Sequence, residues 1–105
     1  SGGESLARRE RVQREGAADL KRLADSVCAA GARLIVLHAD DNMTRFPLFL
    51  KEASALANQK PCVSLVPVAV GKANKFRHDG HWNPEGHRLV ADAAWTSLAA
   101  AASRR

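Results

Sequence analysis

The sequence predicts an α/β fold with parallel strands, on three observations. Apolar residues recur at three- and four-residue steps near both ends of the chain. Two short, continuous apolar runs lie between them, Leu34-Ile35-Val36-Leu37 and Cys62-Val63-Ser64-Leu65-Val66. Helical and strand-like segments then alternate along the chain, as expected of parallel strands joined by right-handed crossovers.

The first helix is expected from about Glu4 to Ala30, with Val12, Leu20, Leu23, Ala24 and Val27 forming its buried stripe. Gly31 suits the left-handed residue that ends a helix. The run from Arg33 to His38 reads as a strand buried on two faces, with His38 at its end. Asp40-Asp41-Asn42 then breaks the pattern as a polar turn; it lacks the later ligands and closing Glu of a calcium loop. A second helix follows from about Pro47 to Asn58, burying Phe49, Ala53 and Leu56, with Pro47 in its first turn.

Lys60-Pro61 ends that helix, and Cys62 to Val66 forms the second strand. Pro67 is expected to close this strand, because proline cannot donate to a central ladder. Val68 to His78 reads as an irregular loop. The last helix is expected from about Pro84 to Ala102, with Asn83 as N-cap, Pro84 at N1, and Leu89, Val90, Ala93, Ala94 and Leu98 on the buried face. Two parallel strands make a narrow sheet. More strands are therefore expected from another segment or from a partner chain.

Bulk properties narrow the function classes. A chain of 105 residues fits one domain or part of one, and 46% apolar with 26% charged residues is globular composition. Ser1-Gly2-Gly3 reads as an expression scar or a trimmed end. No signal peptide opens the chain, and no apolar run is long enough to span a bilayer. The net charge is +5, with basic residues concentrated from Arg8 to Arg22 and at Arg104-Arg105. Glu10, Glu15 and Asp19 are interspersed among the first group, so a solvated helix face is the plainer reading. No zinc-finger spacing, phosphate loop or aromatic-rich motif argues for nucleic acid. Cys28 and Cys62 form no CxxC pair. Both read as small buried hydrophobes, with their pairing left open.

The chemistry concentrates late in the chain. His78, His81 and His87 crowd around Asp79 just after the second strand, where sites form in open α/β sheets. His81 is the candidate general base, because imidazole can accept and return a proton near neutral pH. Asp79 could bond one ring nitrogen and so fix the tautomer, with Gly80 giving the backbone freedom to turn the two together. His87 reads as a packing or hydrogen-bonding residue and His78 as loop surface. A zinc site from these groups matches no familiar spacing.

The block Asp79-Gly80-His81-Trp82-Asn83-Pro84-Glu85-Gly86-His87-Arg88-Leu89-Val90-Ala91 resembles the last conserved block of the SGNH/GDSL hydrolase family. The resemblance extends over roughly residues 18 to 100 and is specific mainly at 79 to 91. It implies the C-terminal part of a flavodoxin-like three-layer fold. It further implies ester hydrolysis or acyl transfer by a Ser-His-Asp triad without a cofactor, with His81 as base and Asp79 as orienting acid. By residue type, Trp82 reads as a structural anchor beside the site that could line an acyl or sugar pocket, and Asn83 as the N-cap rather than a substrate contact. Many members space the acid and base as Asp-x-x-His. The Asp-x-His spacing here resembles the Asp-Gly-His-x-Asn form of some carbohydrate O-acetyl esterases and acetyltransferases.

The family's Gly-Asp-Ser nucleophile block and its glycine and asparagine oxyanion blocks are absent. Ser26, Ser54 and Ser97 fall within expected helices, Ser64 falls within a strand, and no serine sits in a Gly-rich strand-to-helix turn. The chain is thus expected to be a C-terminal half-domain whose serine and oxyanion hole come from an N-terminal segment or partner chain. The alternative is a non-catalytic α/β module that binds an acidic partner or nucleic acid through its basic first helix.

Overall fold

A computed structural model describes residues 2–40, 46–78 and 81–103. The elements are α1 (Gly2–Ala29), β1 (Leu34–Asp40), α2 (Pro47–Gln59), β2 (Val63–Ala69), a 3-10 turn η1 (Lys72–Asn74) and α3 (Pro84–Ser103). β1 and β2 pair as a two-stranded parallel sheet, the α/β alternation expected. The chain divides into two compact units. One comprises Ser1–Leu34 and Phe46–Ser64, and the other Ile35–Arg45 and Leu65–Arg105.

In the first unit, α1 packs on α2 around Leu20, Ala24, Ala53, Leu56 and Val63. Each end of this pair has an identifiable lock. α1 closes in a Schellman motif: the Ala32 N–H donates to the Val27 carbonyl at 3.1 Å and the Gly31 N–H to the Cys28 carbonyl at 3.0 Å. Gly31 adopts φ +76°, a conformation that costs glycine nothing. α2 lacks a capping side chain of its own at Phe46. The Leu48 N–H instead donates to Oε1 of Gln13 at 3.0 Å, so α1 caps the first turn of α2. Phe49 lies over Gly16, and Lys60 Nζ pairs with Asp25 Oδ1 at 3.0 Å.

Cys28 and Cys62 are joined by a disulfide, with Cα atoms 5.7 Å apart. This corrects their reading as buried small hydrophobes; both are only half-buried. The bond ties the last turn of α1 to the residue before β2. Beside it, the Leu34 N–H donates to the Cys62 carbonyl at 2.8 Å and begins the strand pairing.

Several expectations give way. β1 continues through Asp40, so His38 is a buried residue inside the strand rather than its end, and Asp40 is not part of a turn. Asp41 and Asn42 lie outside the described residues. Pro67 does not close β2, which runs on to Ala69. In a sheet of two strands β2 has one neighbour, so a residue without an N–H is tolerated on the other edge. The segment expected as loop therefore contains the end of β2, the η1 turn, and a bridge between Lys75 and Trp82. The expected apolar stripes also reach further than burial does. Val12 and Leu23 on α1 and Leu98 on α3 are exposed. No described helix is long and apolar enough to cross a membrane.

The crosslink spans 34 residues of chain, which predicts a loop-closure contribution of about 2–4 kcal/mol. Cys28→Ser/Cys62→Ser, or the parent protein under a dithiol reductant, should unfold at correspondingly lower urea when helix content is followed by circular dichroism. Equal midpoints for the oxidised and reduced protein would contradict this.

Candidate functional site

The candidate residues lie in the second unit, on the segment leading from the carboxyl end of β2 into α3. Two features fold this segment back on itself. η1 turns the chain after Gly71, whose N–H donates to Asn74 Oδ1 at 3.1 Å. Lys75 then forms an antiparallel bridge with Trp82, and the Phe76 N–H donates to the His81 carbonyl at 3.0 Å. His81 thus sits at the base of a short pinched loop, with its side chain exposed. His78 is exposed nearer the loop's tip, matching its reading as loop surface. Asp79 and Gly80 lie outside the described residues.

Asn83 locks this loop to the last helix. Its Oδ1 accepts the Gly86 N–H at 2.9 Å, which caps α3 as the sequence predicts. Its Nδ2 donates to the carbonyls of Ala73 at 3.0 Å and Lys75 at 3.4 Å. Its backbone N–H donates to the Asn74 carbonyl at 2.9 Å. Trp82 is half-buried and meets His87 edge-on, with ring centroids 5.5 Å apart and planes at 79°. His87 is itself exposed, so this ring contact is the one packing interaction shown for it among the described residues.

Two residues of this arrangement escape sequence reasoning. A Cβ at Gly86 would overlap the Asn74 carbonyl oxygen and come within 2.9 Å of the Trp82 Cβ. Gly86 is accordingly the one buried residue among those described in α3. Asn74 supplies both the carbonyl that approaches Gly86 and the side chain that holds Gly71. The signal available was Gly86 itself, since a glycine in the first turn of a helix costs propensity unless something approaches closely.

Electrostatics at the start of α3 are local. Arg88 bonds the carboxylate of Glu85 and reaches Asp92 Oδ2 at 2.9 Å. The hydrogen bond from Arg88 holds the Glu85 carboxyl below its usual value. A lowered carboxyl favours folding above its unfolded pKa and loses that contribution as pH falls through the folded value. The pair is solvent-exposed, so the effect is screened. Among the described residues no group of three His, Cys, Asp or Glu side chains could hold a metal ion.

Gly86→Ala should cost about 1–3 kcal/mol, because backbone rather than a flexible side chain must move. Asn83→Ala should cost about 1–2 kcal/mol through loss of the cap. Thermal unfolding of both variants checks this. Parent-like stability of Gly86→Ala would mean that η1 and α3 are not held in contact. Comparison of this chain with protein-family models, curated proteins and solved structures finds no match, so the resemblance to SGNH hydrolases rests on the residues quoted above.

Proposed function

We propose that this chain is the acid–base-bearing C-terminal segment of an SGNH-type serine esterase or acyl hydrolase, acting on an ester or an O-acylated carbohydrate. His81 is the general base, Asp79 its orienting acid, and Trp82 and Asn83 support the site. The nucleophilic serine and the oxyanion donors come from an N-terminal segment or a partner chain, which also adds strands to the sheet. No cofactor is required.

The observation that carries this reading is the position of His81. It is exposed at the base of a loop beyond the carboxyl end of β2, and the next two residues lead into the capped start of α3. Catalytic groups of open α/β sheets occupy such positions. Further support comes from apolar side chains without cover: Trp95 and Leu98 on α3, and Leu6, Val12 and Leu23 on α1, are exposed. The reading of a binding module based on α1 draws less support, because Arg14 and Arg22 pair with Glu10 and Asp19 on the same helix.

In the triad chemistry, His81 takes the serine proton as the hydroxyl attacks the acyl carbon, then returns it to the departing alcohol. The acyl-enzyme is released when His81 takes a proton from water in the same way. None of this can proceed without the serine. The 105-residue chain should therefore hydrolyse nitrophenyl acetate no faster than buffer. A chain extended by, or mixed with, a segment carrying Gly-Asp-Ser after a strand should turn it over. There, His81→Ala should lower kcat by about 10⁴–10⁶-fold. Turnover by the short chain alone that disappears in His81→Ala would sink the fragment reading. Undiminished turnover by the extended His81→Ala variant would sink the catalytic assignment.

A further inference from the structure

We propose that the cavity beside the Cys28–Cys62 disulfide is a thiol-exchange site selective for small anionic thiols, with Arg33 as the group that recognises the anion. The site lies in the first unit and is independent of the hydrolase reading.

The bond is open to a small reagent. Cys28 and Cys62 are both half-buried, so the bond is not sealed in a core. An open cavity of about 250 Å³ lies against it, lined by Cys28, Gly31, Ala32, Arg33, Pro61 and Cys62. Sites for drug-sized ligands hold about 300–1,000 Å³, so this one suits a smaller molecule. A Cβ built on Gly31 meets nothing within 4 Å, so the wall next to Cys28 is clear.

Charge decides which thiol enters. Arg33 is the one charged residue lining the cavity, and it is half-buried. Among the described residues it makes no ion pair. The charged residues next in sequence to the two cysteines, Asp25 and Lys60, pair with each other at 3.0 Å. Their charges cancel and leave the guanidinium as the local surplus. A guanidinium presents a planar fork of donors that matches a carboxylate or similar oxyanion. A thiol also attacks as its thiolate, so the reacting sulfur is itself drawn toward a cation. Neutral and cationic thiols lack the oxyanion that Arg33 would hold.

In the exchange the incoming thiolate attacks one Sγ. A mixed S–S bond forms, the Cys28–Cys62 bond breaks, and its electron pair leaves on the other Sγ, which takes a proton from water. A second thiolate attacks the small-thiol sulfur of the mixed disulfide and releases the remaining cysteine, which is protonated likewise. Two small thiols are oxidised to their disulfide, and the protein disulfide is reduced by the same two electrons. The backbone keeps the freed thiols together. Cys28 lies in the turn closed by the Gly31 N–H on its own carbonyl at 3.0 Å. Cys62 lies in a turn closed by the Val63 N–H on the Lys60 carbonyl at 3.0 Å, and its carbonyl accepts the Leu34 N–H. The reverse reaction therefore finds its two partners adjacent, and the opening is reversible.

The test follows disulfide opening in the oxidised 105-residue chain at low salt, by mass spectrometry after quenching with a maleimide. The probes are mercaptoethanesulfonate, mercaptoethanol and cysteamine. Each rate is divided by the same thiol's rate with hydroxyethyl disulfide, which removes differences in intrinsic reactivity. The sulfonate should lead the neutral thiol by at least about fivefold and the cationic thiol by more, a gap that closes with added salt. Arg33→Gln should remove the gap, and Arg33→Lys should keep most of it. Arg8→Gln, which removes one charge from the exposed part of α1, should leave it intact. Equal ratios for the three thiols, a gap that survives Arg33→Gln, or a gap that falls equally in Arg8→Gln would each overturn the proposal. Disulfide-linked dimers in place of the original monomer, once the thiol is removed in air, would overturn the reversible opening. Unchanged circular dichroism confirms that the oxidised variants fold. Should Arg33→Gln fail to fold, the three-thiol comparison and its salt dependence in the parent chain still decide.

Discussion

The carboxamide of Asn83 is the contact on which the geometry around His81 depends. A helix start leaves N–H groups without partners, and an irregular loop leaves carbonyls without partners. Asn83 sits where both deficits meet. Its oxygen accepts the Gly86 N–H of α3, while its nitrogen donates to the Ala73 and Lys75 carbonyls on the other side. Serine or aspartate at this position could cap the helix, but neither supplies the amide donors that hold the loop. Gly86 completes the constraint by letting the Asn74 carbonyl approach where a side chain would stand. His81 lies within the stretch bounded by Lys75 and Trp82, so the lock that starts the helix also sets the loop from which an imidazole would act.

The first unit reaches order by a different route. Its buried apolar side chains are few, with two alanines among Leu20, Ala24, Ala53, Leu56 and Val63. A small core supplies limited hydrophobic stabilisation, and small domains commonly add crosslinks for this reason. Cys28 lies in the Schellman turn that ends α1, and Cys62 lies immediately before β2. The disulfide therefore joins two positions whose backbones are already restricted by hydrogen bonds. Gln13 extends the same logic, since it caps α2 from α1 and makes the start of one helix depend on the packing of the other.

What was legible in the sequence follows from which interactions are local. The helices, the Gly31 stop and the Asn83 cap depend on neighbours within a few residues, and each lies where the residues place it. Strand ends depend on a partner chosen elsewhere in the chain. β1 therefore runs past His38, and β2 runs past Pro67 because only one of its edges is paired. Periodicity marked Val12, Leu23 and Leu98 as one face of a helix, but it carries no information on whether anything covers that face. At the candidate site, residue type was enough to single out His81, Trp82 and Asn83. Gly86 signalled a close approach without saying to what, and Asn74 gave no signal, because their contribution is a backbone approach between segments about twelve residues apart.

Charge shows the same division between local and non-local order. α1 carries six cations against five acids, and its described ion pairs within the helix, Arg14 with Glu10 and Arg22 with Asp19, are one helical turn apart. α3 treats Arg88 likewise, between Glu85 and Asp92. A regular helix brings opposite charges at three- and four-residue spacing together and so neutralises its own surface. The segment from η1 to His81 has no such repeat, and among the described residues Lys72, Lys75 and Arg77 make no ion pair. A net charge of +5 is therefore a poor guide to the partner of this chain as a whole.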